Sequence, residues 1–433
     1  MINQQLFDFI KNSPTCYHTV RSVQKELEAC GFESLQESRT WTLKEGGKYF
    51  VTRNRSSLAA FQIPPNTDGS FHIAAAHTDS PAFKLKEGAE ITTEKNYVKL
   101  NTEKYGGMNM SGWLDRPLSI AGRVLAEKDS SISTILVDFA PKMVLIPSLA
   151  IHMNREVNTG FKYNPQTDLL PLLGDDRAEG ALSALLAEAA GVEESQIYGS
   201  DLFLYDPMEG RCWGPHQEYI SCPRLDDLQG VFTCMKGFLS AGDFTSIPLL
   251  CILDNEEVGS QTKQGAASTF LADIMSRILT CLGRTSQSQH EAFAKTFMLS
   301  VDNAHAVHPN HPEKSDPTSR PYMNQGVVIK YNANQKYTTD AVSASIFKRI
   351  CKQNDIPYQS FLNRSDMPGG STLGNISNTQ VSVNTIDIGV AQLAMHAPYE
   401  TAGAWDTDCL IRAVRAFYQS RIQIAEDGIY EVS

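Results

Sequence analysis

Two adjacent carboxylates, Glu256 and Glu257, follow an apolar run from Ile247 to Leu253 that reads as a buried strand, and Gly259 comes two residues after Glu257. Neighbouring side chains in a strand point to opposite faces, so the pair shares one site only if the backbone turns out of the strand there. Gly259 is the residue that permits the turn. Such a pair divides labour: one carboxylate binds a metal ion while the other stays free to move a proton. A lone Glu-Glu step is ordinarily a solvated acidic loop, and only its company argues for more. That company is His77, Asp226, Asp302 and His396, which with Glu257 all fall at strand ends or at a helix start. In open α/β sheets ligands gather beyond the carboxyl ends of the strands, so one crevice could collect all five. Two imidazoles and three carboxylates suit calcium poorly and a pair of zinc ions well, with Mn2+ or Co2+ as alternatives. With Asp226 as the bridge, each ion holds one histidine and one further carboxylate. A pair ~3.5–4 Å apart, as in two-metal sites, acidifies a shared water and polarises a carbonyl. Glu256 then takes the water's proton.

The elements that position these residues change character along the chain. Residues 3–31 read as helical, with Val20, Val23 and Leu27 on one face and Gly31 at the end. GKYFVTRN, SSLAAFQI and FHIAAAH are short strands, the first two a hairpin through Arg55. The third ends in His77, and Asp79 two residues on completes a ligand-plus-orienter pattern, although a lone histidine there is more often a packing residue. From about Glu87 to Ser221 the texture becomes β-rich: ITTEKNYVKLN, PLSIAGRVLAE, STILVDF and MVLIPSLAIHMN, with helix confined mainly to ALSALLAEAAG. His152 lies in this stretch and by itself reads as a surface or interface histidine. After Cys222 strands and helices alternate, which implies a largely parallel sheet covered on both faces. The expected fold is therefore α/β, a mixed, largely parallel sheet flanked by helices. Its halves, 1–86 and 222–433, are interrupted by a β-rich insertion at 87–221.

Composition narrows the partners. A net charge of -11 over 433 residues argues against nucleic acid and anionic membranes, and an acidic substrate would need a local cation. Nine cysteines, odd in number and without a C-x-x-C pair, suit a reducing compartment. No signal-like or membrane-length apolar stretch is seen, so the expectation is a cytoplasmic protein.

Seven strings, AAAHTDSP, SCPRLDDLQG, LDNEEVGS, SVDNAHAVHPN, GVVIKYNANQKYTTDA, RSDMPGGSTLG and LAMHAPYE, resemble in this order the M18 family of metallo-aminopeptidases, and most of all its aspartyl aminopeptidase branch. The resemblance spans nearly the whole chain. It implies a dinuclear zinc site in a catalytic α/β domain interrupted by a dimerisation domain. It gives His77 and Asp302 to one ion, Glu257 and His396 to the other, Asp226 to both, and the general-base role to Glu256. Asp79 is implied as the residue orienting His77. Substrate contacts fall on His152, His305, Lys330 and Tyr337, with His152 reaching a neighbouring subunit's site. A homo-oligomer, a tetrahedral dodecamer, is implied as well. One departure is LDDLQG, where relatives usually carry Asn after the bridging aspartate, so Asp226 and Asp227 compete for that role and position within the motif favours Asp226.

The expected activity is removal of an N-terminal residue, Asp or Glu by the branch resembled, from peptides with a free N-terminus. The same ligands would serve a dinuclear deacylase, a carboxypeptidase or an aminopeptidase of apolar specificity, since site geometry does not itself name the substrate. A non-catalytic scaffold on this fold is disfavoured by an intact Glu256 beside a full ligand set.

Overall fold

Four parallel strands form the middle of the molecule. In the computed structural model, which describes residues 2–242 and 244–433, Ile247–Leu253, Phe71–His77, Phe297–Val301 and Asn384–Gly389 lie side by side in that order. The first three are buried along their whole length, because successive side chains feed cores on opposite faces of the sheet. Ala74, Ala76, Leu250 and Ile252 pack with helices Cys16–Ala29, Leu225–Ser240, Ala341–Gln353 and Asp406–Gln419. Ile73, Ala75, Leu249 and Cys251 pack with helices Phe270–Cys281 and Ser286–Lys295. Glu33–Leu35, Lys48–Arg53 and Ser57–Gln62 extend one edge and Val327–Lys330 and Tyr358–Phe361 the other, with antiparallel joins that make the nine-stranded sheet mixed. The protein is thus α/β with a large mixed sheet flanked by helices, as the alternation of elements implies. The predicted hairpin turns at Asn54 and Arg55, both at positive φ.

A second body is wholly antiparallel. Its six strands run in the order Ser131–Asp138, Ser119–Lys128, Ile197–Tyr205, Ala82–Thr93, Tyr97–Tyr105 and Leu172–Asp175. It has its own core, including Phe83, Leu100, Val124 and Leu204, with helix Ala181–Ala190 packed on it. The strand Ala82–Thr93 begins ahead of Glu87, and the hairpin Arg211–Trp213 and Tyr219–Cys222 pairs not with this body but with Glu400–Gly403 beside the central sheet.

One strand expectation fails. MVLIPSLAIHMN makes only isolated bridges at Val144 and Leu145 and then turns as an exposed loop. Pro147 has no N–H to give a ladder, and Leu149, Ile151 and Met153 find no core. Helix Ser286–Lys295 and the C-terminal hairpin Ile422–Glu426 with Ile429–Val432 are elements the sequence reading did not anticipate. Among the described residues, no helix is long and apolar enough to cross a membrane.

Candidate metal centre

Strand register brings the candidate ligands to one level. Leu253 pairs with His77 and Ser300 with Ala75, so the segments leaving three neighbouring strands emerge together at the carboxyl edge. His77 ends its strand, Asp302 follows Val301 directly, and Glu256 and Glu257 lie in a short 3-10 turn, Glu256–Val258. Asn255 at φ +64° and Gly259 at φ +95° bracket that turn, the departure from strand geometry that a shared site requires. Asn255 is held by Thr262 and Gln264, which donate to its Oδ1. Asp226 and Asp227 open helix Leu225–Ser240 with non-helical backbone angles, and His396 sits at φ +65° shortly before strand Glu400–Gly403.

Asp226 lies between the two imidazoles. Its Oδ1 is 3.6 Å from His77 Nε2 and its Oδ2 is 3.2 Å from His396 Nε2. Glu257 Oε1 is 3.4 Å from the same His396 nitrogen. Ligand atoms of His77, Asp226 and Asp302 form one group within 4.8 Å of one another; Asp226, Glu257 and His396 form a second, and His77, Glu256 and Glu257 a third. Asp227 turns the other way. Its Oδ2 accepts the His77 N–H at 3.2 Å, and it crowds Gly230, where an added Cβ would stand 2.1 Å from Asp227 Oδ1.

The donors fit divalent cations. Asp226 Oδ1 and Glu257 Oε1 are buried with no hydrogen-bond partner, so their lone pairs are free for another acceptor-seeking group. Burial pushes the carboxyls of Glu257 and Asp302 up, and that of Glu256 up to about 8. Burial acts the same way on Asp226, but the neighbouring His396 and His77 imidazoles outweigh it and hold that carboxyl low. His396 is raised to about 10: burial opposes its charge, and Asp226 and Glu257 more than restore it. Carboxylates that resist ionising together are what a bound cation stabilises, and an oxygen and imidazole set without thiolate suits zinc, manganese or cobalt.

Asp79 supports this edge in two directions. Its carbonyl oxygen lies 3.0 Å from His77 Nδ1, which places the ring proton on Nδ1 and leaves Nε2 facing Asp226. Its carboxylate accepts the N–H groups of Glu256 and Glu257, both at 3.1 Å, so it also shapes the two-glutamate turn. Tyr105, on the antiparallel body, donates to Asp79 Oδ2 at 2.7 Å and accepts from Asn255 Nδ2 at 2.8 Å. Sequence reasoning missed Tyr105, and only the fold brings it within reach.

A cavity of about 250 Å³ opens beside the ligands, lined by His77, Glu256, Asp302, His305, Lys330 and Tyr337 among others. Lys330 is only 2 % exposed, so it is no strand-end surface lysine. Its Nζ is 3.1 Å from Asp302 Oδ2, donates to the Asn303 carbonyl oxygen at 3.3 Å, and stands over the Tyr337 ring. His152 is not brought to the others. It lies exposed on the loop of the antiparallel body, between Ile151 and Met153, which are 47 % and 69 % exposed.

Comparison with known proteins gives a consistent result. A family described as aminopeptidase I zinc metalloprotease (M18) matches residues 9–418. The chain is 43 % identical over 423 residues to a probable M18 family aminopeptidase 2 of Clostridium acetobutylicum, covering 96 % of this chain and 98 % of that one. It is 38 % identical over 425 residues to a protein of the same description from Ectopseudomonas mendocina, again covering 96 % and 98 %. Among solved structures, Ape4 in its complex with Nbr1 superposes with a TM-score of 0.92 at 34 % identity, over 96 % of this chain and 85 % of that one. The mApe1 dodecamer of S. cerevisiae gives 0.86 at 28 % identity, over 96 % of each chain.

Proposed function

The chain belongs to the M18 family of zinc metalloproteases and is a metallo-aminopeptidase, a hydrolase, and from that premise we propose that it removes the first residue of unblocked peptides at a dinuclear site. The observation that carries this reading is Asp226, with one carboxylate oxygen toward each imidazole and a cavity alongside. His77 and Asp302 would hold one zinc ion and His396 and Glu257 the other, with Asp226 available to both. When bound, the ions polarise the first peptide carbonyl and acidify water. Glu256, at the cavity wall, takes a proton from the attacking water and returns it to the departing amine as the carbon–nitrogen bond breaks. Atoms balance as peptide plus water giving a free amino acid and a shortened peptide.

Specificity for Asp or Glu at the first residue is proposed for Lys330 with Tyr337. Two of the three ammonium donors are used by Asp302 and Asn303, which leaves one for a substrate carboxylate entering the cavity. Since Lys330 also partners Asp302, its loss should reach the ligand as well as the substrate. The antiparallel body is the proposed dimerisation domain, and its loop is proposed to carry His152 to a neighbour's site in a homo-oligomer. The mApe1 dodecamer is the model for that assembly. Nine unpaired cysteines agree with a cytoplasmic setting.

A panel of unblocked and blocked aminoacyl substrates, run with metal analysis on the same preparation, tests the reading. Cleavage of free-amine substrates only, best for Asp and Glu, with two zinc ions per chain, is the expected result. Cleavage at blocked amines or at carboxyl termini overturns the aminopeptidase step. A preference for Leu over Asp and Glu overturns the acidic specificity alone.

A further inference from the structure

Four residues beyond His396, Glu400 begins the strand Glu400–Gly403 with its side chain 2 % exposed. It lines the neighbouring cavity shared with Asp79, Asp226 and His396, not the one that holds Glu256 and Lys330, and among the described residues it touches no imidazole ring nitrogen and has no lysine or arginine partner. Its two oxygens accept two main-chain N–H groups and one side-chain amide. Oε2 accepts the Asp226 N–H at 2.9 Å, and Oε1 accepts the His396 N–H at 2.7 Å together with Gln392 Nε2 at 3.3 Å.

These two peptide groups are the ones that most need fixing. His396 has left-handed backbone geometry, φ +65°, which a residue with a Cβ adopts only when its surroundings hold it there. Asp226 has non-helical angles at what would otherwise be a helix start. The backbone of Glu400 is itself pinned between strands: it pairs with Cys222, and its strand pairs with Ala391–Leu393 on the other side. One carboxylate on a rigid strand therefore sets the distance between Asp226 and His396, whose side chains meet at 3.2 Å. Gln392 passes the network on to Asn303, but Glu400 itself reaches none of His77, Asp302 and Glu257.

We propose that Glu400 is a positioning residue mainly for the ion assigned to His396 and Glu257, because it grips the N–H groups of two of that ion's ligands, Asp226 and His396, and of only the shared Asp226 among the ligands of the other. The inference rests on the dinuclear reading above. The chemistry demands a carboxylate. Both oxygens must accept, and glutamine, equal in shape, would turn an NH2 donor toward one of the two N–H groups. Hydrogen-bond partners one shell behind the ligands typically change metal affinity 10–100-fold when altered.

The test is a zinc-binding isotherm on metal-stripped wild type and Glu400→Gln, read by competition with a chromophoric chelator, with the melting temperature of the stripped proteins measured alongside. The wild type should take up two ions per chain. The variant should bind one ion with the smaller loss, through the shared Asp226 alone, and the second roughly 10–100-fold more weakly, with an unchanged melting temperature when stripped. Activity lost at limiting zinc should return at high zinc as kcat, with KM unmoved. Equal weakening of both ions, or none, overturns the proposal, because a merely structural role would not distinguish them. Should Glu400→Gln fail to fold, Glu400→Asp keeps the charge but cannot span both N–H groups, and it must show the same unequal loss. A wild type that binds a single ion would sink the dinuclear reading itself, visible before any variant is made.

Discussion

The carboxyl edge of the parallel strands and the loop at 147–163 of the antiparallel body carry the two kinds of residue this site is proposed to use, and they are built in opposite ways. His77, Asp226 and Asp302 are 1 %, 3 % and 8 % exposed, each fixed by strand register or by carboxylates accepting nearby N–H groups. Around His152, Leu149, Ile151 and Met153 are 55 %, 47 % and 69 % exposed and the backbone forms turns without a ladder. Large apolar side chains that stay in water are costly to keep there, about 1.5–3 kcal/mol each relative to full burial. The edge is ordered within one chain, whereas the apolar side chains of the loop are left uncovered by it. A metal site tolerates little positional error, so its ligands sit where folding leaves no freedom. His152, proposed to be lent to a neighbour, sits on the outside.

The sharpest way to break this contrast is at the bridge. Asp226→Ala should leave no measurable turnover and should not be rescued by moderate zinc, since two cations would then face each other across a short gap. Asp227→Asn, facing Gly230 and the His77 N–H, should keep its metal and most of its activity. If metal analysis and assay show the reverse, the bridge is Asp227 and the edge is less fixed than its register suggests.

Next in size is Glu256→Gln. The amide keeps the volume but cannot take the water's proton, so kcat should fall on the order of 100-fold or more while metal content stays near wild type. Metal loss in this variant would make Glu256 a ligand, an outcome its closeness to His77 and Glu257 makes worth measuring.

Lys330→Ala should lower kcat/KM for Asp and Glu substrates roughly 10- to 150-fold, the equivalent of one charge-assisted contact. Because Lys330 also holds Asp302 at 3.1 Å, Leu and Ala substrates should lose a smaller part of their rate. An equal loss for every substrate would confine Lys330 to the edge, as a support for Asp302 and nothing more.

The smallest signal comes from the loop. Mixed oligomers of inactive His152→Ala and inactive Glu256→Gln chains should regain partial activity, because some sites draw each intact residue from a different chain. Absence of recovery in oligomers verified as mixed would return His152 to its own chain and erase the contrast between the two regions.

Much of the edge was legible in the sequence. Apolar runs ending in His77, Leu253 and Val301 marked strands, and strand ends marked where ligands would gather. The positive φ of Gly259 fulfils the turn its position required. The failed strand at MVLIPSLAIHMN shows the limit: hydrophobicity reports that a segment seeks burial, not whether a partner strand exists to receive it. Lys330 shows the same limit from the other side, since an apolar neighbourhood in VVIK gave no sign that its ammonium would pair with Asp302.

By itself the sequence determined which chemical groups would be present and at which strand ends, because strand, turn and ligand type are local properties written over a few residues. Only the tertiary structure decided which aspartate faces both imidazoles, that Tyr105 of the antiparallel body braces Asp79, and that Glu400 ties Asp226 to His396. Asp226 and Glu400 are 174 positions apart. A hydrogen bond at 2.9 Å between such residues is set by how strands pair and helices pack between them, and no local pattern carries that distance.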